Sequence, residues 1–101
     1  MNSPDLAKVN TFDWDQGNIS KSKDKHNVEA KECEEIFFNK PLLINRDKKH
    51  SKTEKRFQAL GITDAKRQLF VALTVRKNKI RIISARDQNK KERLKFTKFK
   101  N

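Results

Sequence analysis

Two strand-like stretches dominate the chain, Leu69-Phe70-Val71-Ala72-Leu73-Thr74-Val75-Arg76 and Ile80-Arg81-Ile82-Ile83-Ser84-Ala85-Arg86, joined by Lys77-Asn78-Lys79. The polar break has hairpin length and its flanks are rich in β-branched residues, which predicts an antiparallel pair. Alternate side chains of a strand point to opposite faces. Leu69, Val71, Leu73 and Val75 then oppose Phe70, Ala72, Thr74 and Arg76. In the second strand Ile80, Ile82, Ser84 and Arg86 oppose Arg81, Ile83 and Ala85. A hairpin that is mostly core, yet carries guanidinium groups in and beside its strands, holds those groups rigidly. The planar donor fork of arginine fits phosphate oxygens.

Charge points the same way. The formal net charge is +12, but residues 1–45 hold six Lys/Arg against eight Asp/Glu, and residues 46–101 hold nineteen against five. One half is near neutral and the other strongly basic, which calls for a polyanionic partner such as nucleic acid. A membrane fits poorly, because no eighteen-residue apolar run or broad-faced amphipathic helix exists. The opening Met1-Asn2-Ser3-Pro4-Asp5 lacks the layout of a signal peptide, so the expected location is the cytoplasm.

At 101 residues and 34% hydrophobic content, the chain predicts one small domain whose core rests on a few segments. Cys33 is the single cysteine, at core spacing from Ile36 and Phe37, and reads as a buried, inert thiol. Two histidines and one cysteine at no ligand spacing predict neither a metal nor a cofactor.

Residues 1–11 read as a flexible tail and 12–101 as the domain. Phe12-Asp13-Trp14-Asp15 suits a short strand, after which Asp15 can cap a polar helix over 16–26. Asn27 fits a left-handed stop. A second helix runs from Glu29 to Phe38 on a stripe of Ala30, Cys33, Ile36 and Phe37. Strands follow at 42–45 and 54–63, separated by a charged loop. After Arg86, Asn89 and Glu92 form a capping-box pair opening a helix through Leu94, Phe96 and Phe99. The order β-α-α-β-β-β-β-α is α+β, a mainly antiparallel sheet packed with two N-terminal helices and a C-terminal helix.

These segments resemble the BrnT toxins of bacterial type II toxin–antitoxin modules over roughly residues 12–96. The likeness is carried by Phe12-Asp13-Trp14-Asp15, Lys25-His26, Glu54-Lys55-Arg56-Phe57-Gln58-Ala59-Leu60-Gly61, Leu69-Phe70-Val71 with Thr74-Val75-Arg76, and Arg81-Ile82-Ile83-Ser84-Ala85-Arg86. The resemblance implies a RelE-like fold, a ribonuclease that blocks translation, and a cognate BrnA-type antitoxin in a heterotetramer of two toxins and two antitoxins. It implies contact with operator DNA only through the antitoxin. Asn18, Ser22, Asn27 and Phe96 stand where the family often has Lys, Asn, Gly and Tyr. Without any tyrosine in the chain, a phenol cannot serve as acid or base.

Metal-free RNA cleavage requires a base for the 2′-hydroxyl, cations for the phosphorane and an acid for the leaving oxygen. His26 is the first acid/base candidate, since imidazole exchanges protons near neutral pH, and Glu54 is the alternative base. Arg81 and Arg86 are the candidate phosphate clamps. In a regular strand they project from opposite faces, and they reach one phosphate only if a bulge or twist turns Arg86. Lys25, Arg56, Arg76, His50 and Trp14 are candidate RNA contacts, Trp14 as a stacking platform. Plainer roles stand beside these: His26 as a helix cap, Glu54 paired with Arg56, Arg81 in an ion pair, Trp14 in the core, His50 solvated. Three functions fit the residues: a ribonuclease toxin, a basic nucleic-acid-binding module without turnover or a degenerate toxin, and a protein that only binds an acidic partner.

Overall fold

The computed structural model describes residues 11–13, 26–50 and 55–100. In chain order these form β1 (Thr11–Asp13), α1 (Ala30–Phe38), β2 (Leu43–Arg46), a 3-10 turn (Lys48–His50), β3 (Arg56–Ile62), β4 (Gln68–Arg76), β5 (Lys79–Asp87) and α2 (Lys90–Lys100). The five strands make one sheet in the order β1-β5-β4-β3-β2. β1 runs parallel to β5 and the other pairs are antiparallel. The fold is therefore α+β, with a mixed, mostly antiparallel sheet and two helices among the described residues. Of the helix expected over 16–26, only His26 is described; it is helical, and Asn27 follows with φ 55°, the expected left-handed stop. The tail, Trp14 and Asp15 lie outside the described residues.

The predicted hairpin is β4–β5. Its turn is Lys77-Asn78, with φ of 49° and 64°, so two residues rather than three connect the strands. Positive φ at both central positions is the type I′ geometry that matches strand twist. The alternation expected for β4 holds along its length. That of β5 does not, because Leu73 pairs with Ile82 while Ala72 pairs with Ser84, leaving Ile83 as an extra residue. This bulge reverses the parity of everything after it. Ile80, Ile82 and Ala85 are buried on one face, while Arg81, Ser84 and Arg86 register with Thr74, Ala72 and Phe70 on the other.

The main core lies on the first face, where Leu69, Val71, Leu73, Ile80, Ile82 and Ala85 meet Cys33 and Ile36 of α1. The two buried positions of α1, Cys33 and Ile36, lie three residues apart, so a single stripe faces the sheet. Gly61 lets that helix approach: a Cβ there would lie 2.7 Å from Cβ of Ile36. The Glu29 backbone N–H donates to Glu32 at 3.0 Å, fixing the start of α1. At its end Asn39 Nδ2 donates to the carbonyl of Ile62 and to Asp64, both at 2.9 Å, joining helix to sheet. Burial, with the carboxylates of Glu32 and Glu34 nearby, pushes the Cys33 thiol up to about 12. Cys33 is thus buried, as expected.

Helix α2 packs against β3 on the second face. Its capping box forms as predicted: the Asn89 backbone N–H donates to Glu92 at 2.9 Å, and the Glu92 N–H donates to Asn89 Oδ1 at 2.8 Å. Of the three apolar residues expected to anchor the helix, Phe96 is fully buried, but Leu94 is 58% and Phe99 51% exposed. The reason is geometric. Leu94 is two positions from Phe96, about 200° around the helix, and cannot share its face. Phe99 instead lines a groove with Phe37, Phe38 and Leu42.

Candidate functional site

The second sheet face gathers the cations. Its strands place Asp13, Arg81, Thr74 and Arg56 in one cross-strand row, read through the pairs Asp13↔Arg81, Arg81↔Thr74 and Thr74↔Arg56. The row continues past β2, where the Asp47 N–H donates to the Arg56 carbonyl at 2.8 Å. Neighbouring strands lie about 5 Å apart, so the two arginines stand about 10 Å apart at their Cα atoms. Between them Thr74 is buried, and its hydroxyl donates to the Lys55 carbonyl at 2.7 Å. Arg56 and Arg81 are half-buried, whereas Arg76 and Lys79, paired two residues along on the same face, are exposed. Partly buried guanidinium groups on paired strands are held in direction more firmly than surface lysines, which suits them to a phosphate.

Arg86 joins this face through the bulge, but its fork is occupied. Nη1 donates to Glu92 Oε1 at 2.7 Å and Nη2 to Oε2 at 2.9 Å, while the guanidinium lies 4.1 Å from the ring centroid of Phe70. The bidentate pair holds the guanidinium more firmly charged. For Glu92, burial would raise the carboxyl, but the bonds from Arg86 and from the Asn89 backbone outweigh it and leave it lowered. A phosphate at Arg86 has to displace Glu92, a carboxylate that also caps α2.

His26 is elsewhere. Its carbonyl accepts from Arg67 Nη2 at 3.2 Å, and its imidazole helps to lower Asp87. Arg67 organises this end of the sheet. Nε and Nη2 clasp Asp87 at 2.6 and 3.0 Å, and Nη1 donates to the Asn27 carbonyl at 2.9 Å and to Glu32 at 3.3 Å. All five donors of the guanidinium are accounted for. Those hydrogen bonds hold the Asp87 carboxyl below the usual carboxylate range. Asp87 registers with Leu69 on the core face, six residues beyond Arg81 on β5. That is about 20 Å of strand. The structure therefore does not bring His26 to the arginines.

The four strand arginines singled out from sequence, Arg56, Arg76, Arg81 and Arg86, all lie on one face. Trp14, Lys25 and Glu54 lie outside the described residues, and His50 closes the 3-10 turn. Sequence reasoning missed the Arg67 cluster and the second role of Glu92. Arg67 sits in what reads as a plain turn, and its partners come from residues 20 to 41 positions away. Nothing local marks it. Glu92 is legible as a cap, while its pairing with Arg86 depends on how α2 turns back over the sheet.

A small mixed sheet with arginines arrayed on one face defines a basic α+β protein. The chain belongs to the family of BrnT ribonuclease toxins of type II toxin–antitoxin systems, whose description matches residues 14–92. Among curated proteins none matches it. Membership implies an RNA substrate and a cognate antitoxin. Among the described residues no helix is long and apolar enough to cross a membrane.

Proposed function

We propose that the protein is a cytoplasmic endoribonuclease toxin that cuts RNA by metal-independent transesterification and so inhibits translation. The observation that carries this reading is the gathering of Arg56, Arg76, Arg81 and Arg86 on one sheet face, completed by the bulge at Ile83. The nucleophile is the substrate's own 2′-hydroxyl, already tethered beside the phosphate, so cleavage needs no activated water. Arg81 and Arg56 hold the phosphate and stabilise the phosphorane. Arg86 supports them by fixing α2, and meets phosphate itself only by leaving Glu92. Lys25, Arg76, His50 and Trp14 extend the RNA contact on sequence grounds. Of the two acid/base residues chosen from sequence, His26 faces the Arg67 cluster, and Glu54 lies two positions before Arg56.

In this reading residues 12–101 form a single RelE-like toxin domain with 1–11 as a tail. A BrnA-type antitoxin neutralises it in a heterotetramer, and operator DNA is met only through the antitoxin. A second reading, a basic RNA-binding module or degenerate toxin without turnover, draws support from the distance of His26 and the engagement of Arg86 by Glu92.

The test is cleavage of a defined single-stranded RNA in EDTA by wild-type protein, Arg81→Ala and His26→Ala prepared identically. The ribonuclease reading expects cutting to 2′,3′-cyclic phosphate ends that falls at least a hundredfold in Arg81→Ala at unchanged folding. Salt-dependent binding without cutting by any of the three supports the binding module.

A further inference from the structure

Of the two proton acceptors chosen from sequence, His26 lies at the Arg67 end of the sheet and Glu54 lies outside the described residues. The row itself supplies one. Asp13 ends β1 in parallel register with Arg81, so the two side chains project from adjacent strands on the same face. The neighbouring pairs agree: Phe12, in register with Ile80, packs against the core on the other side. Three carboxylates come near the arginines of this face among the described residues, and two are committed. Glu92 accepts both nitrogens of Arg86. Asp47 extends the β2–β3 ladder at the far edge and has interactions of its own. Asp13 is half-buried on β1, one of the two edge strands of the sheet among the described residues.

We propose that Asp13 is the general base of RNA cleavage on this face. The proposal rests on the ribonuclease reading above. With Arg81 and Arg56 on the phosphate, the Asp13 carboxylate takes the proton from the 2′-hydroxyl. The 2′-oxygen bonds to phosphorus, and the bond from phosphorus to the 5′-oxygen breaks. The leaving oxygen takes a proton from water, and Asp13 returns its own to solvent. The products are a 2′,3′-cyclic phosphate and a 5′-hydroxyl, with no change of oxidation state. A carboxylate one strand from the guanidinium that binds the phosphate is within reach of the ribose attached to it.

The experiment measures single-turnover cleavage at saturating protein, and RNA affinity separately, for wild type, Arg81→Ala, Asp13→Asn, Asp13→Glu, Asp47→Asn and Glu54→Gln, each with a native melting transition. The proposal expects Asp13→Asn to lose at least a hundredfold in rate while binding RNA as tightly as wild type or more so, since a negative charge is removed. Asp13→Glu, which keeps the carboxylate, should stay within tenfold, and Asp47→Asn within threefold. Wild-type cutting that Arg81→Ala abolishes but Asp13→Asn leaves within threefold overturns the proposal alone. So does loss in Glu54→Gln without loss in Asp13→Asn, or a natively folded Asp13→Glu that is as inactive as Asn. Wild-type protein that cuts nothing overturns the ribonuclease reading and this proposal with it.

Discussion

Arg81 and Arg86 stand on the same face of the sheet although five positions separate them, because Ile83 between them is a bulge. An odd spacing in a regular strand sends two side chains to opposite faces. One unpaired residue restores the parity, and it does so beside the basic face. The same bulge keeps Ala85 in the core, so the apolar and cationic patterns of β5 are reconciled by a single irregularity.

Arg86 also ties α2 to the sheet through its fork on Glu92 and its stacking on Phe70. Arg86→Ala should destabilise the fold by about 1–2 kcal/mol, a range that allows for solvent screening of a partly exposed pair. A double-mutant cycle with Glu92→Gln, measured by urea unfolding, should show coupling of about 1 kcal/mol. Additive effects would mean that the pair is ornamental.

Acid should weaken the fold through two carboxylates. Asp87 is lowered by its bonds to Arg67, and Glu92 is lowered by Arg86 despite its burial. The unfolded chain binds more protons than the native protein around the ordinary carboxylate range. Their contribution is therefore complete above about pH 5 and is lost as pH falls through the native values, below about pH 4. Urea midpoints from pH 7 to pH 3 should drop at the acid end, and Asp87→Asn should flatten that drop. A midpoint independent of pH in this range would contradict the assignment.

Gly61 owes its identity to packing rather than to backbone angle. A Cβ would meet Cβ of Ile36 at 2.7 Å, and neither atom can swing away. Gly61→Ala should cost about 1–3 kcal/mol by pushing α1 off the sheet. Pairing it with Ile36→Val leaves that Cβ in place and should recover little. An alanine variant as stable as wild type would show that the helix yields freely.

The Cys33 thiol, pushed up to about 12 by burial, should resist a disulfide reagent at pH 8 in the native protein. In denaturing urea it should react at the rate of a free cysteine. Rapid native reaction would mean that α1 opens readily.

Much of this architecture is legible in the residues. The β4–β5 hairpin, the left-handed Asn27, the stripe of Cys33 and Ile36 on α1 and the capping box of Asn89 and Glu92 all follow from local rules of periodicity and capping. What was not legible depends on tertiary placement. The bulge at Ile83 has no sequence signal, because Ile82 and Ile83 are equally apolar and only the pairing distinguishes them. The Arg67 cluster draws on Asn27, Glu32 and Asp87, which approach one another only once the sheet is formed. His26 looked like a partner for the arginines because charge and chemistry recommended it, and sequence gives no distance between them.

The most direct measurement is single-turnover cleavage of a defined RNA in EDTA by wild type, Arg56→Ala, Arg81→Ala and Lys95→Ala, the last an exposed lysine of α2. If the arginine row is the cleavage site, both arginine variants fall at least a hundredfold while Lys95→Ala stays within threefold. Equal, modest losses in all three would show that the face contributes net charge alone, and would contradict a built site.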